Sequence, residues 1–461
     1  MSLLIQNGEI ITASERFHAD VLCENGTITK LEQGLSADGV DEVVDATGKY
    51  VFPGFIDPHT HIYLPFMGTH AIDTYESASK AAAVGGTTCL IDFCIPERDG
   101  DPFDALKIWN SKSEGQSAID FSYHLCVLRY DKEIEKQLRR MVAEEGITSF
   151  KVFLAYKGAL GVTDEELFHV LKLAKELGVV VTAHCENPDI ILELQKQFLA
   201  EGKTEPKWHY WSRPPYVEAE GTNRLCTFAE ILGTHIYIVH LSCKESLDRA
   251  VEAKARGVNV YIETLIQYLT LDKSHAELPG FEGAKYVMSP PLRDKSNQEV
   301  LWNGLKSRII STLATDHAPF NFADQKSMGQ DDFTKIPNGI PSLEDRVNLL
   351  WTHGVKEGRM DLHTFVDCAS TQAARIFGLF PRKGTLQLGG DADIVVYDPD
   401  YEGTISAKTH QLAVDYSAFE GWPIKGRPHV TAVRGEIVAR DGQFVGTIGH
   451  GKFVKREPNH F

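Results

Sequence analysis

Residues 149–184 read SFKVFLAYKGALGVTDEELFHVLKLAKELGVVVTAH, and they contain two kinds of hydrophobic pattern. Residues 149–154 and 179–184 are short apolar runs, which are typical of buried strands. Residues 164–177 between them repeat apolar side chains at helical spacing. A strand, a helix and a second strand in this order predict one unit of a parallel sheet.

The same alternation extends through the centre of the chain. The apolar runs lie at residues 51–57, 87–93, 121–128, 149–154, 179–184, 236–241, 258–264 and 310–316. The clearest helical segments between them lie at residues 131–145, 164–177, 217–232 and 245–256. Eight alternations of strand and helix are the signature of a (β/α)8 barrel. The alternation of strands and helices does not show whether the sheet closes into a barrel, so an open doubly wound sheet is the alternative.

Both ends of the chain show short strands that are separated by turns. Asn7-Gly8 and Asn25-Gly26 are strong hairpin signals, and a similar pattern returns between residues 393 and 442. These distant segments can pair into one small domain around a central insert. We therefore predict an α/β protein with a TIM-like barrel at residues 53–379 and a small β-sandwich domain built from both chain ends (residues 1–52 plus 380–440). Residues 441–461 are expected to form a C-terminal arm that packs on a neighbouring subunit.

Composition excludes several classes of protein. The chain has 461 residues and a net charge of −17, which argues against a nucleic-acid-binding surface. No apolar run reaches the roughly 20 residues of a membrane-spanning helix, and the first residues lack the pattern of a signal peptide. The eight cysteines are scattered without a Cys-x-x-Cys pair, which is typical of reduced thiols. We expect a cytoplasmic enzyme with no nucleic-acid and no membrane partner.

Side chains that can bind a metal ion lie at the ends of several predicted strands. They are His59 and His61 after the first strand, Lys151 within the fourth, His184 at the end of the fifth, His240 at the end of the sixth and Asp316 at the end of the eighth. In a (β/α)8 barrel these strand ends face one common site. An extended His-x-His segment also sends both rings to the same side, where both can bind one ion. A single histidine among 18 means little, but this placement predicts a metal centre.

Lys151 is unusual because it lies inside an apolar strand. An unpaired ammonium group is costly to bury. One interpretation is a core lysine with a carboxylate partner. The other is a lysine that carbon dioxide has carbamylated, which would carry a carboxylate able to bridge two cations.

Several motifs resemble those of one enzyme family. PGFIDPHTH at residues 53–61 resembles the opening motif of the cyclic amidohydrolases. The motifs that resemble the dihydropyrimidinase and D-hydantoinase branch lie at residues 149–158, 182–187, 239–242, 288–293, 314–317, 336–341, 376–384 and 390–393. The similarity extends over essentially the whole chain. It implies a metal-dependent hydrolase barrel with a small β-sandwich domain, as the residue pattern also predicts.

The resemblance also implies a metal site and a substrate site. It implies two Zn²⁺ ions per subunit that are bridged by a hydroxide and by carbamylated Lys151 (N6-carboxylysine). The remaining ligands are His59, His61 and Asp316 for one ion, and His184 and His240 for the other. Tyr156, Ser289 and Asn338 match positions that bind the ring amide or imide of the substrate, the last two largely through backbone groups. A homotetramer or a dimer is expected from the resemblance alone.

The implied chemistry is hydrolysis of a cyclic amide. Two divalent cations generate hydroxide at neutral pH, and this hydroxide attacks the ring carbonyl carbon. The Tyr156 hydroxyl can stabilise the oxyanion that forms, whereas Asp316 accepts a proton and returns it to the leaving ring nitrogen. We expect His317 to orient its neighbours and not to bind the metal.

The sequence gives weaker indications of the substrate. Leu64, Phe66 and Phe153 are expected to form an apolar substrate-gating loop at the mouth, which suits an uncharged ring. The related dihydroorotases typically have an arginine where this chain has Tyr63, so an acidic substrate is disfavoured. We predict conversion of 5,6-dihydropyrimidines or 5-monosubstituted hydantoins to N-carbamoyl amino acids. The alternatives are an allantoinase or another cyclic-amide hydrolase, and a non-catalytic scaffold of the same fold.

One motif departs from the family pattern. Many members have a Cys-Pro pair after Glu-Thr in the seventh strand, whereas Glu263-Thr264 is followed here by Leu265-Ile266-Gln267. No implied metal ligand is lost. We expect a change only in the residues that line the pocket.

Overall fold

The computed structural model describes residues 2–459, and a parallel sheet lies at its centre. Within the described residues its eight strands are Phe55–Thr60, Thr87–Cys94, Asp120–Cys126, Ser149–Phe153, Val180–His184, Ile236–Ile238, Val260–Leu265 and Thr312–Ala314. Each strand pairs in parallel with the next one along the chain. A bridge between Thr60 and His317 joins the two end strands, and His61 N donates to the His317 carbonyl at 2.8 Å. The sheet is therefore a nearly closed TIM-like barrel, as predicted.

Helices connect the barrel strands. Over residues 2–459 the α-helices are Tyr75–Val84, Pro102–Ser113, Lys132–Glu145, Asp164–Leu177, Pro188–Ala200, Trp208–Trp211, Pro215–Leu232, Lys244–Ala255, Ile266–Thr270, Ser296–Lys306, Arg346–Leu350, Leu362–Val366 and Gln372–Ile376. The 3-10 helices are Lys273–Glu277, Glu282–Tyr286, Lys326–Gly329 and Phe333–Lys335, and the π-helices are Trp351–Val355 and Asp367–Thr371. None of the helices in the described part of the chain has the length and apolar character that a membrane crossing requires.

The helix Asp164–Leu177 shows how local sequence sets these boundaries. Thr163 and Glu166 form a reciprocal capping box at its start, with each side chain accepting the other residue's backbone N–H. Gly178 follows its last turn at a φ of 65°, a left-handed conformation that glycine adopts without a steric penalty. The predicted helix and the observed helix therefore have the same bounds.

The first predicted barrel strand, at residues 51–57, is divided between two sheets. Tyr50–Pro53 belongs to a sheet outside the barrel, whereas Phe55–Thr60 is the first barrel strand. Gly54 lies between them, where an added Cβ would be 2.1 Å from Thr88 Oγ1. Both halves are buried, so the hydrophobic pattern contains no break that could reveal the change of sheet.

Strands from both chain ends form the sheets outside the barrel. One sheet has the order Thr27–Glu32, Asp20–Glu24, Ser2–Gln6 and Glu42–Asp45. The other has the order Gln443–Phe444, Glu436–Arg440, Pro423–Val433, Ile394–Thr404, Tyr50–Pro53, Glu9–Ile11 and Arg16–His18. The two sheets share an apolar core that includes Leu3, Ile10 and Val396. The predicted pairing of the two chain ends is confirmed, whereas the domain boundaries at residues 52, 379 and 440 stay predictions.

The C-terminal arm packs against the starts of the barrel strands of its own chain. Phe121 N donates to the Lys452 carbonyl at 3.0 Å, and the guanidinium of buried Arg456 donates to Ser122 Oγ and Ser149 Oγ at 2.9 Å each. Residues 460 and 461 of the predicted arm, and residue 1 of the predicted β domain, lie outside the described residues. Contact of the arm with a neighbouring subunit stays a prediction.

Candidate active site

A cavity opens where the barrel strands end. Its lining consists of His61, Leu64, Phe66, Lys151, Phe153, Tyr156, Leu160, His184, His240, Ser289, Asp316, Ala318, Asn338 and Gly339. All the site residues predicted from the sequence are in this lining except His59. The short hairpin of Pro65–Phe66 and Thr69–His70 carries Phe66 at the mouth. The barrel therefore gathers side chains that are far apart in the sequence into one space.

His59 lies next to this lining and completes a compact group of donor atoms. The Nε2 atoms of His59 and His61 are 3.3 Å apart, and they lie 3.1 and 3.0 Å from Asp316 Oδ1. The donor atoms of these three residues all lie within 4.8 Å of one another. Two imidazoles and a carboxylate at this spacing suit a zinc ion.

Charges inside the group oppose the effect of burial. Burial lowers the pKa of His59, but the carboxylates of Glu263 and Asp316 outweigh it and raise that pKa to about 9. Burial dominates at His61 and lowers its pKa to about 4. Burial raises the pKa of Asp316, but the nearby His59 and His61 rings hold it well below its usual range. Asp316 is therefore a carboxylate in this arrangement, and a carboxylate can bind a cation.

His240 and Asp316 lie just beyond their strands. The predicted strands reached residues 241 and 316, but the observed strands end at Ile238 and Ala314. His240 and Asp316 then adopt φ angles of 41° and 49°, in the left-handed region that costs energy for residues other than glycine. Tyr156 shares this property, with a φ of 56°. The turn after each strand, not the strand itself, aims these side chains into the cavity.

His184 and His240 face the same cavity from neighbouring strands. Their ring centroids are 4.6 Å apart. His184 Nε2 donates to Glu186 Oε2 at 2.7 Å, and Arg213 donates to the same oxygen. This bond leaves His184 Nδ1 as the nitrogen that can bind a cation. The buried Nδ1 atoms of His61 and His240 have no hydrogen-bond partner among the described residues.

Lys151 projects from the fourth barrel strand between two aromatic rings. Its Nζ lies 4.9 Å from the centroid of the Phe93 ring and 5.0 Å from that of Phe153. No hydrogen bond or ion pair joins Nζ to any other residue of the described chain. Burial lowers the pKa of this amine. The charges of Asp316 and Glu263 act on this amine, but neither carboxylate forms an ion pair with it.

Glu263 is a residue of this site that the sequence did not single out. The side chain is fully buried in the seventh strand, where Oε1 accepts from His59 Nδ1 at 2.7 Å and from the His240 backbone N–H at 2.8 Å. Its Oε2 accepts from Tyr237 Oη at 2.7 Å. One carboxylate thus orients two of the predicted ligands. The sequence feature that could have indicated its role is a glutamate inside the apolar run at residues 258–264.

Ser289 and Asn338 contact each other in the cavity lining, and Tyr156 lies between Ser289 and His184. Asn338 Nδ2 donates to Ser289 Oγ at 2.9 Å, and Ser289 Oγ is 3.2 Å from His209 Nε2. The Tyr156 ring lies 5.2 Å from the His184 ring, and burial raises the pKa of the Tyr156 hydroxyl. Tyr156 therefore stays protonated at neutral pH and can donate a hydrogen bond.

Leu265, Ile266 and Gln267, where the chain departs from the family pattern, lie outside the cavity lining. Gln267 is buried, and its Nε2 donates to the Thr315 carbonyl at 2.6 Å, directly before Asp316. The expected change of pocket lining is therefore wrong, because the side chain of Gln267 supports the turn beside the cavity instead of facing it.

His317 does not belong to the group of donor atoms. Its Nε2 is 2.9 Å from Asp73 Oδ2, and both side chains are buried. The backbone of His317 joins the first and eighth strands through the bridge to Thr60. His317 thus orients the turn that carries Asp316.

Comparison with known proteins places this site in a family. The model described as "Amidohydrolase family" matches residues 50–438. The chain is 49% identical over 457 residues to a D-hydantoinase of Geobacillus stearothermophilus, across 99% of this chain and 97% of that protein. Two solved structures are also similar. The D-hydantoinase (dihydropyrimidinase) from Thermus sp. has a TM-score of 0.97 and 57% identity over 100% of both chains. The dihydropyrimidinase from Brevibacillus agri NCHU1002 has a TM-score of 0.98 and 47% identity over 99% of both chains.

Proposed function

This chain belongs to the amidohydrolase family and is a cyclic amidohydrolase, and we propose that it opens 5,6-dihydropyrimidines or 5-monosubstituted hydantoins to N-carbamoyl amino acids. The observation that supports this proposal most directly is one cavity whose lining combines proposed metal ligands with the proposed amide-binding residues Tyr156, Ser289 and Asn338. A non-catalytic scaffold would not require this combination. Allantoin and other cyclic amides are the alternative substrates.

We propose that the metal centre holds two zinc ions. His59, His61 and Asp316 would hold one ion, His184 and His240 the other, and carbamylated Lys151 would hold both. The fit is supported by the clustered donor atoms of the first group and by the position of Lys151, His184 and His240 in the lining of the same cavity. When bound, such ions lower the pKa of water towards neutrality and polarise a substrate carbonyl group.

The side chains of the cavity then have distinct roles in the proposed reaction. The Asp316 carboxylate accepts a proton from the attacking water and returns it to the ring nitrogen as the amide bond breaks. The Tyr156 hydroxyl donates a hydrogen bond to the oxyanion that forms on the attacked carbonyl. Ser289 and Asn338 hold the amide groups of the ring on the opposite side.

The apolar part of the lining indicates an uncharged substrate. Leu64, Phe66 and Phe153 in the lining have hydrocarbon side chains, and the Phe66 and Tyr156 ring centroids are 5.7 Å apart. Burying a charged substituent against these rings without a partner would be unfavourable. Phe153 ends the fourth barrel strand and therefore does not belong to a loop, unlike Leu64 and Phe66 after the first strand. We propose that the Leu64 and Phe66 segment gates the site for a neutral ring or an apolar ring substituent, and that the Phe153 ring forms the wall beside it.

The test is ring opening by zinc-loaded protein supplied with bicarbonate. 5,6-Dihydrouracil and a 5-monosubstituted hydantoin are compared side by side, and appearance of the N-carbamoyl product is measured. Turnover of either supports the proposal, and the faster one defines the preferred substrate class. Activity on allantoin alone would favour the allantoinase alternative. A protein that binds no stoichiometric zinc and opens none of these rings would contradict the proposed hydrolase function.

Replacing Glu263 by glutamine is expected to weaken zinc binding by about 10- to 100-fold. Glutamine keeps the size of the side chain but removes the charge that makes His59 a stronger ligand. The measurement is competition for zinc with a chelator of known affinity. Glu252→Gln on the exposed face of the helix Lys244–Ala255 is the matched control. Equal zinc affinities of Glu263→Gln and the control would remove Glu263 from the metal centre.

Replacing Tyr156 by phenylalanine is expected to lower kcat by about 10²-fold, as expected for the loss of one donor to an oxyanion. The zinc content should stay at the wild-type value, because Tyr156 is not one of the proposed ligands. Steady-state kinetics and elemental analysis on the same sample check both statements. An unchanged kcat would exclude a role of the hydroxyl in the reaction.

Two further features of the protein stay proposals. All eight cysteines are buried thiols without a disulfide bond, which suits a reducing compartment such as the cytoplasm. Assembly into a homotetramer or a dimer rests on the resemblance to the family.

A further inference from the structure

Lys326 is a fully buried lysine that the proposed reaction does not use. Its Nζ donates to three backbone carbonyls, those of Val287 at 3.0 Å, Pro337 at 2.7 Å and Gly339 at 2.8 Å. No carboxylate of the described chain forms an ion pair with it. Carbonyl groups only accept hydrogen bonds, and an ammonium group has three N–H donors. Burial alone lowers the pKa of this amine, but three acceptors require three N–H donors, so the geometry is that of the ammonium form with one donor to each acceptor.

The three carbonyls belong to the two backbone segments that line the substrate side of the cavity. Val287 lies two residues before Ser289, whereas Pro337 and Gly339 flank Asn338. The segments also contact each other directly, because Gly339 N donates to the Val287 carbonyl at 2.9 Å. Lys326 itself is anchored by its own N–H, which donates to the Asn321 carbonyl at 2.8 Å. One ammonium group thus fixes the distance between the segments that carry Ser289 and Asn338.

The direction of the Pro337 carbonyl determines the direction of a neighbouring donor. In a trans peptide the carbonyl and the following N–H point in opposite directions. Because the Pro337 carbonyl points at Lys326, the Asn338 N–H points away from it. No acceptor among residues 2–459 receives this N–H, and Asn338 and Gly339 both line the cavity. A cation on the carbonyl side also polarises the peptide and strengthens its N–H as a donor.

We propose that Lys326 is a positioning residue for substrate recognition, which aims the Asn338 N–H at the ring carbonyl that is not cleaved. This inference rests on the proposed function. In the proposed reaction the amide bond breaks beside Asp316, and Tyr156 lies between His184 and Ser289, so the second carbonyl is left for Asn338. Lys326 acts through the backbone of Asn338 and does not touch the ring.

The experiment compares Lys326→Met with wild-type protein in steady-state kinetics on the preferred cyclic amide. Methionine fills similar volume but donates no hydrogen bond. We expect KM to rise about 10-fold, kcat to fall less than about 3-fold and zinc content to stay unchanged, as for the loss of one hydrogen bond to the substrate. Lys335→Met, at an exposed lysine in the same region, is the matched control. If Lys326→Met does not fold, Lys326→Gln keeps two donors and should show the same change to a smaller extent.

A second measurement separates recognition from a merely structural effect. A substrate with sulfur in place of the oxygen of the uncleaved carbonyl accepts hydrogen bonds poorly, so wild-type protein should prefer the oxygen form. The preference for the oxygen substrate over the sulfur substrate should shrink about 5-fold or more in Lys326→Met, because the Asn338 N–H no longer points at that carbonyl group. An unchanged preference, or an unchanged KM, would overturn the role of Lys326. Failure of wild-type protein to open either ring would instead contradict the proposed function itself.

Discussion

Replacing Lys151 by alanine is expected to abolish ring opening and zinc binding together. In the proposed centre the carbamylated lysine is the ligand that both ions share, so its removal takes one ligand from each ion. Loss of that shared negative charge would also leave the two neighbouring cations with less compensating charge between them. Turnover should fall to the background of the assay, and zinc content should fall well below two ions per chain.

The measurement combines elemental analysis with kinetics on the same preparation. Lys172→Ala, at an exposed lysine of the helix Asp164–Leu177, is the matched control for loss of a lysine. Wild-type protein from which zinc and carbon dioxide have been removed should regain activity with zinc and bicarbonate together, and much less with zinc alone. A Lys151→Ala protein that keeps two zinc ions and full activity would exclude the bridging role.

The prediction for Lys151→Ala rests on the surroundings of Lys151 in the structure as well as on the sequence. A lysine in an apolar strand left two interpretations open. Only the tertiary structure shows that Nζ lies between the Phe93 and Phe153 rings and forms no ion pair with a carboxylate of the described residues. Burial lowers the pKa of the Lys151 amine and so favours its neutral form, which is the form that can react with carbon dioxide. In the proposed centre, that reaction would place a carboxylate at the same position in the cavity.

The barrel could be predicted because its strands are nearly all apolar and its helices have clear start and stop signals. Ser149–Phe153 and Asp164–Leu177 agree with the sequence pattern to within a residue. The positions of the predicted ligands follow from this agreement, because strand ends converge in a barrel. The change of sheet at Gly54 could not be seen, since burial on both sides of it gives one continuous apolar run.

Other features depend on contacts between distant parts of the chain. His59 and Glu263 are 204 positions apart, and no local pattern connects them. The left-handed turns at His240 and Asp316 are imposed by the surrounding structure against the local preference of those residues. The three backbone carbonyls that accept from Lys326 Nζ likewise meet only when two loops and a short helical turn come together.

Replacing Asp316 by asparagine is expected to lower kcat by about 10²- to 10⁴-fold, the range typical of losing a general acid–base group. Asparagine keeps the size and one oxygen of the side chain, so the contacts of that oxygen near His59 and His61 can persist. The amide cannot accept a proton from the attacking water or deliver one to the ring nitrogen. Zinc affinity should fall as well, because a neutral oxygen replaces a charged one.

These two effects of Asp316→Asn can be separated by measuring kcat at zinc concentrations that saturate the variant. If Asp316 only binds zinc, saturation should restore kcat to the wild-type value. If it also moves the proton, a large deficit should persist at saturation, whereas Asp331→Asn at an exposed position should behave as wild type. A substrate with a better leaving group on the cleaved amide should lose less activity in the variant, because its departing nitrogen needs the proton less. A deficit that disappears with zinc alone would therefore assign the proton transfer to another group and leave Asp316 as a ligand only.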